Sequence, residues 1–370
     1  MKKLLGSLVL AATDRIAVLL GLESGLSLTD PIVTIQLRRN MRTLESLSCL
    51  RKSRWLLVAS LVLLPQLLFA QWTASVGAES GDQGRQALAF LPNELWIHVG
   101  DSITWKLVTK IEPHTVTFLI ANQIRNPFNI GCPGYTPDNS PFDGTACVST
   151  PPMVNGQTFT VIFPATGNFK LSCLFHENMQ GTVHVLDLAE KLPHDQAFYD
   201  NQAKSDSKAM LNDMLQDMGK DSHGKHQSAN AVTVGLGEVV ATGGGTRTLS
   251  VVRFMQDKVT IHKGDTVEWT SGDVITPHTI TFGTEPVDLI DPSANVTVDT
   301  DGARHGVINS TSDSMHSGFI QAAPQDRIGL AQAPLGVTRF RVTFSNPGTY
   351  SYICALHDGS GMTGSVIVLP

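Results

Sequence analysis

Two short segments of this sequence each place a cysteine, a histidine and a methionine within a few residues of one another. The segments read KLSCLFHENM and YICALHDGSGM. The residues concerned are Cys173, His176, Met179, Cys354, His357 and Met362. Thiolate and thioether sulfur are soft ligands, and together with imidazole they favour copper. The two segments therefore predict a metal site each.

Each segment needs a second imidazole, and a Pro-His-Thr sequence further upstream supplies one candidate for each site. These candidates are His114 and His278. A thiolate and two imidazoles near one plane, with a thioether as weak axial ligand, suit copper in both oxidation states. Zinc prefers a regular tetrahedron and rarely uses methionine. We therefore predict copper as Cu+ or Cu2+, with two ions per chain.

The two sets of candidate ligands lie in two matching halves of the chain. Gly100–Phe118 matches Gly264–Phe282 without a gap, at an offset of 164 residues. Gly167–Cys173 matches Gly348–Cys354 at an offset of 181. The second half therefore holds 17 more residues, which we place within 285–335, where they could cap the second copper or form a partner surface. Matches that span most of each copy indicate two copies of one fold in tandem.

Each copy has the pattern of a β-sandwich. The chain contains 32 glycines and 19 prolines and few aromatic residues, which favours short strands and many turns over helical bundles. In one predicted strand Phe169, Leu171 and Cys173 alternate onto one face. Each metal-site cysteine therefore ends an inward-facing stripe of a packed core. The fold class that follows is all-β.

Four regions follow from these patterns. They are an N-terminal extension with a signal sequence at 1–70, a first β domain at 85–187, a linker at 188–230 and a second β domain at 231–370. Met210, Met214 and Met218 lie at helical spacing in the linker, followed by His223 and His226. One face of a helix packed on a domain is the favoured interpretation, and transient Cu+ binding is the alternative.

Basic residues and an apolar run near the N-terminus predict export. Arg51, Lys52 and Arg54 precede Trp55–Phe69, and Ala70 follows at a plausible cleavage point. The alternative is that this segment stays uncleaved as a membrane anchor, which is the only membrane association that we expect. The exported part would carry 18 basic and 29 acidic residues, a net charge of −11. So acidic a protein is not expected to bind nucleic acid.

Export also accounts for the remaining cysteines. Cys132 and Cys147 bracket a turn-rich loop, and in a periplasmic or extracellular compartment we expect them to form a disulfide bond. Cys173 and Cys354 are then left single, and metal ligation is one reason for an exported protein to keep them. His98 and His262 also match each other, and we interpret them as strand residues rather than ligands.

The two halves resemble the cupredoxins, the plastocyanin/azurin family of blue (type 1) copper proteins. The resemblance rests on the G-D-x-x-x-W…P-H-T-x-x-F segments and on the C-x-x-H…M-x-G-x-V segments. It implies two tandem cupredoxin-like Greek-key β-sandwiches of eight strands each, joined by a partly helical linker. It also implies copper at one end of each sandwich and electron transfer through an exposed histidine, which by match is His176 in one copy and His357 in the other.

The expected function is electron transfer by two blue copper sites, with other exported redox proteins as partners and no catalysis. A copper-dependent oxidoreductase of the multicopper oxidase or nitrite reductase type is one alternative. It would need further histidine clusters, and His-x-His does not occur in the sequence. A protein that stores or delivers copper is the other alternative. Because the first ligand loop is shorter, we also expect the two coppers to differ in reduction potential.

Overall fold

The computed structural model of the protein describes residues 69–125, 132, 134–222, 229–322 and 337–370. The predicted signal sequence up to residue 68 and the linker histidines His223 and His226 lie outside these residues. The part of the chain that is described is rich in β-strands and contains one long helix, as the sequence predicts. Within it, no helix is both long and apolar enough to span a membrane.

Residues 71–186 form a first sandwich of two sheets. Its strands are β1 (Gln71–Glu79), β2 (Arg85–Leu91), β3 (Glu94–His98), β4 (Ser102–Leu107), β5 (Thr117–Phe118), β6 (Ser140–Pro141), β7 (Val148–Ser149), β8 (Thr158–Ile162), β9 (Gly167–Ser172) and β10 (Gln180–Leu186). One sheet has the order β2-β1-β4-β8-β6, and the other has the order β3-β10-β9-β5-β7. Trp105 is fully buried in the core between them.

Residues 231–369 form a second sandwich with the same arrangement. Its strands are β11 (Ala231–Thr242), β12 (Gly245–Met255), β13 (Lys258–His262), β14 (Thr266–Gly272), β15 (Thr281–Phe282), β16 (Thr297–Val298), β17 (Arg304–Ile308), β18 (Met315–His316), β19 (Arg339–Phe344), β20 (Gly348–Ile353) and β21 (Thr363–Leu369). The sheet orders are β12-β11-β14-β19-β17-β16 and β13-β21-β20-β15-β18. Trp269 takes the place of Trp105 in this core.

Two details differ from the sequence-based prediction. The first sandwich begins with β1 at Gln71, ahead of the predicted boundary at residue 85, because β1 pairs in parallel with β4 along its length. Each sandwich also has more than eight strands among the described residues, because two-residue strands such as β5 and β7 interrupt the long connections. The described part of the 285–335 insertion forms β16, β17 and β18, and β16 adds a strand at the sheet edge.

The two sandwiches share one sheet. Strands β2 and β12 pair antiparallel and join the two larger sheets into a single sheet of eleven strands. Gln86 pairs with Ser250, which lies 164 residues further along and is therefore its own counterpart in the second copy. A local two-fold axis consequently passes through this pair. It relates the two sandwiches and places their corresponding ends on opposite sides of one interface.

A helix covers the joint between the sandwiches. Helix α1 (Gln196–Ser222) lies in the predicted linker. Its side chains Met210 and Met214 are buried in one apolar cluster with Ala87, Leu249 and neighbouring side chains of β2 and β12. The apolar spacing predicts this contact. Met218 lies in the same helix.

Candidate metal centres

The first candidate centre lies where β9 ends and β10 begins. The loop from Cys173 to Met179 supplies three of the predicted ligands, and His114 arrives from the segment between β4 and β5. The Sγ atom of Cys173 lies 3.9 Å from Nδ1 of His114 and 3.6 Å from Nδ1 of His176. The two Nδ1 atoms are 3.0 Å apart. A main-chain pairing with Met153 fixes the position of His114.

The second candidate centre has the same construction between β20 and β21. The Sγ atom of Cys354 lies 3.8 Å from Nδ1 of His278 and 3.3 Å from Nδ1 of His357. The longer loop accommodates a turn of 3-10 helix at Asp358–Ser360 before Met362. A main-chain pairing with Ile320 fixes the position of His278.

The donor atoms at both centres fit a single metal ion. Imidazole and thiolate bonds to a metal of about 2.0–2.3 Å, at angles near 110–120°, put neighbouring donor atoms roughly 3.3–3.9 Å apart. Most of the observed separations lie in or near this range. Within the described residues, these are the two groups of three such side chains that could hold a metal. A thiolate with two imidazoles suits copper.

The methionines lie beside these groups. Met179 and Met362 are fully buried. The main-chain N–H of Cys173 donates to the carbonyl oxygen of Met179, and that of Cys354 donates to Met362 in the same way. Each ligand loop is therefore closed by the main chain, which holds the cysteine and the methionine at the same end of the core.

Charge and hydrogen bonds favour the ligating form of both cysteines. Burial raises the pKa of Cys173, but His176 and His114 lower it more, so that it lies well below its usual range. The same balance, with His357 and His278, lowers the pKa of Cys354. A main-chain N–H, from Thr115 in one centre and Thr279 in the other, also donates to each sulfur. The thiolate is the form of cysteine that binds metal.

Two glycines that sequence analysis did not single out make room for the ligand histidines. Gly77 and Gly235 both have positive φ and sit at the irregularity in β1 and β11. A Cβ atom at Gly77 would lie 3.0 Å from Nε2 of His114, and one at Gly235 would lie 2.2 Å from Nε2 of His278. A Val-Gly pair at each position is the sequence signal that could have revealed them.

The surroundings of the two upstream histidines differ. The carboxylate of Asp273 is fully buried and lies 3.5 Å from Nε2 of His278. Burial raises the pKa of Asp273, but His278 and Ser250 lower it further, so the group is held as a carboxylate. Thr109 stands at the matching position in the first copy. The difference gives only the second centre a carboxylate against its upstream histidine.

The expectation that His176 and His357 are exposed is wrong. They are only 5% and 3% exposed, because both face the interface between the two sandwiches. A single side chain from the first copy, Glu112, lies between them. Its Oε1 atom lies 2.9 Å from Nε2 of His176, and its Oε2 atom lies 3.6 Å from Nε2 of His357.

Glu112 is ionised in this position. Burial raises its pKa, but the hydrogen bond from His176 and the charges of His176 and His357 lower it well below the usual range. Burial lowers the pKa of each of these two histidines, yet the nearby cysteine and Glu112 raise it to about 10. The sequence held one signal for this residue, since IEPHT in the first copy aligns with ITPHT in the second.

The other residues considered from sequence lie away from the two centres. Cys132 and Cys147 form the predicted disulfide bond. His98 ends β3 and contacts the carbonyl oxygen of Glu190, and His262 ends β13 with an exposed side chain. Both histidines are therefore strand residues, as the sequence interpretation expects, although each lies at the end of its strand.

Comparison with known proteins gives a family match for most of the second sandwich and a set of similar solved structures. Residues 239–369 match the family described as copper binding proteins, plastocyanin/azurin family. Among solved structures, the chain is similar to a reduced amicyanin variant at 21% identity, covering 32% of this chain and 83% of that one with a TM-score of 0.21. It is similar to oxidised plastocyanin from Dryopteris crassirhizoma at 21% identity, covering 38% and 99% with a TM-score of 0.20. Residues 239–369 are therefore similar to the plastocyanin/azurin family of copper-binding proteins, and the first sandwich repeats the strand order and the candidate ligand residues of the second.

Proposed function

We propose that this protein is an electron carrier with two type 1 copper sites. The proposed ligands are His114, Cys173, His176 and Met179 in the first site and His278, Cys354, His357 and Met362 in the second. The observation that carries the proposal is the repeated group of one buried cysteine between two buried histidines, with a buried methionine in the same loop. Bound copper would supply a one-electron change of oxidation state.

In this proposal the protein restricts the movement of the ligand side chains. The main-chain pairings of His114 and His278, the closed loops and the N–H groups directed at each sulfur all limit ligand movement. Little ligand movement between the two oxidation states favours rapid electron transfer. We further propose that the protein works outside the cytoplasm with other redox proteins as donor and acceptor. The Cys132–Cys147 disulfide supports that location.

A redox titration of the copper-loaded protein tests this function. An electron carrier should show an intense thiolate-to-copper absorption that a one-electron reductant bleaches and an oxidant restores, with the metal retained throughout. Transfer of copper to a Cu+ chelator after reduction would instead indicate storage or delivery. Steady consumption of oxygen or nitrite by the loaded protein would indicate an oxidoreductase.

A further inference from the structure

The two candidate centres meet at one carboxylate, which leads to an inference that rests on the proposed function. The Nδ1 atoms of His176 and His357 face the cysteines, so their Nε2 atoms point away from the proposed metal positions. Both Nε2 atoms point at Glu112. We infer that Glu112 joins the two centres into one electron-transfer unit, by connecting His176 of the first sandwich to His357 of the second.

The path consists of few contacts. One hydrogen bond of 2.9 Å connects His176 to Glu112, and one charge contact of 3.6 Å connects Glu112 to His357. Glu112 is only 9% exposed, so water does not separate the three side chains to any large extent. A buried contact of this kind is electrostatically stronger than one in water. The two centres therefore communicate through a single side chain.

The interface around this contact is held in several places. Asn93 receives a hydrogen bond from Arg247 at 3.1 Å and donates one to Thr242 at 2.6 Å. Arg253 of the second sandwich donates to the carbonyl oxygen of Asp82 in the first at 2.6 Å. Together with the β2–β12 pairing, these contacts fix the distance between the two histidines.

The local two-fold symmetry explains why one carboxylate is enough to contact both His176 and His357. The position that matches Glu112 in the second copy is Thr276. Two glutamates near the axis would place like charges together, which raises the pKa of one of them and weakens the contact. With Glu112 alone, a single negative charge serves both imidazoles. The asymmetry of the sequence therefore agrees with a bridging role.

The electron-transfer step involves no other chemistry. With copper held by the Cys173 and Cys354 centres, one electron would pass from the reduced centre to the oxidised one. The transfer would require no proton movement and no change in covalent bonds. Glu112 is a positioning residue, because it acts through the two histidines.

The test uses the full chain and three variants. Glu112→Thr introduces the residue that the second copy has at this position, and Glu112→Gln keeps the size of the side chain and removes its charge. Glu177→Gln is the matched control, because Glu177 lies in the first ligand loop and pairs with Arg125 rather than with His357. Each protein is measured without copper and with copper.

The measurement without copper is nitrogen NMR of the histidine rings. Both Glu112 variants should shift the Nε2 signals of His176 and His357, which belong to different sandwiches, while Glu177→Gln should leave the His357 signal in place. A signal of His357 that does not move in either Glu112 variant would overturn the inference. This readout does not depend on copper, so it decides the bridge even if the proposed function fails.

With copper bound, a light pulse first delivers less than one electron per chain. The quantity measured is the rate at which that electron then redistributes between the two centres. Cys173→Ser and Cys354→Ser supply the separate spectra of the two centres. The Glu112 variants should slow the redistribution roughly 10- to 100-fold, the usual effect of losing a partner of a metal ligand. An unchanged rate with both absorption bands intact would overturn the inference while leaving the proposed function in place. A third copper that disappears in the Glu112 variants would also overturn it, by making Glu112 a ligand.

Discussion

At the scale of single residues, Gly235 controls the space around the second centre. A side chain there would collide with the imidazole of His278, because even a Cβ atom would lie 2.2 Å from its Nε2. We expect Gly235→Ala to lower the copper affinity of the second centre by at least about tenfold, the scale on which displaced ligands act. Competition with a chelator of known affinity measures this.

Gly264→Ala is the matched control for that prediction. Gly264 also has positive φ, so alanine there carries a similar backbone strain of about 1–2 kcal/mol, yet nothing lies within 4 Å of the added Cβ. The control should lose stability and keep its copper affinity. Equal loss of affinity in the two variants would show that backbone strain, and not contact with His278, is responsible.

Asp273 gives the second centre a negative charge that the first centre lacks at its matching residue. A buried carboxylate near His278 stabilises the more positive Cu2+ state, so we expect Asp273→Asn to raise the reduction potential of the second centre. A shift of roughly 60 mV corresponds to a tenfold change in the equilibrium. Potentiometric titration measures the shift, and the first centre, which should not change, is the internal control. A shift of both centres alike would contradict the assignment.

At the scale of elements, helix α1 stabilises the joint between the sandwiches. Met214 is 2% exposed and packs with side chains of β2 and β12. We expect Met214→Ala to lower the free energy of unfolding by about 2–5 kcal/mol, without changing the amount of copper bound. Urea unfolding and metal analysis measure the two quantities, and the exposed neighbour Asn212→Ala is the control. Loss of one copper in Met214→Ala would favour the alternative that the linker methionines bind Cu+.

The insertion in the second copy is held to the sheet by ion pairs. Arg341 on β19 contacts Asp299 and Asp301, which lie between β16 and β17. Hydrogen bonds from Arg341 lower the pKa of both carboxyl groups from the ordinary value of 3.8. Their stabilisation is therefore complete above about pH 4 and is lost as the pH falls through the lowered pKa values of the folded protein.

The lowered pKa values of Asp299 and Asp301 determine how the effect of replacing Arg341 should depend on pH. Arg341→Gln should be less stable than the parent protein at pH 6, and the difference should shrink as the pH falls below about 4. Urea unfolding at several pH values measures it, with a substitution of the exposed Lys263 as control. A stability difference that stays constant down to pH 2 would mean that these carboxylates contribute nothing through Arg341.

At the scale of the whole molecule, the two sandwiches should unfold together. The β2–β12 pairing and the cluster under α1 join them into one body. Copper that binds only the second centre of Cys173→Ser should therefore raise the unfolding temperature of the entire chain in a single transition. The gain is about 4 kcal/mol when free copper is a thousand times the Kd. Two separate calorimetric transitions, of which only one responds to copper, would contradict this.

The sequence predicted the parts that depend on local patterns. Alternation toward Cys173 and the repeated Pro-His-Thr segments located the strands and all eight candidate ligands. It did not predict β1, which lies in the stretch left unassigned between the predicted signal sequence, ending at residue 70, and the predicted domain boundary at residue 85. Nor did it predict the burial of His176 and His357. That burial depends on Gln86 pairing with its own counterpart Ser250, and a contact between two copies leaves no pattern within either copy.

The most direct test of the central claim is to count the copper ions and record the visible spectrum of the parent protein, Cys173→Ser and Cys354→Ser. We predict two ions per chain and two thiolate-to-copper bands for the parent, with one band lost in each variant and the other unchanged. A parent protein with fewer than two ions, or a band that survives both substitutions, would contradict the claim that each sandwich holds its own copper through its buried cysteine.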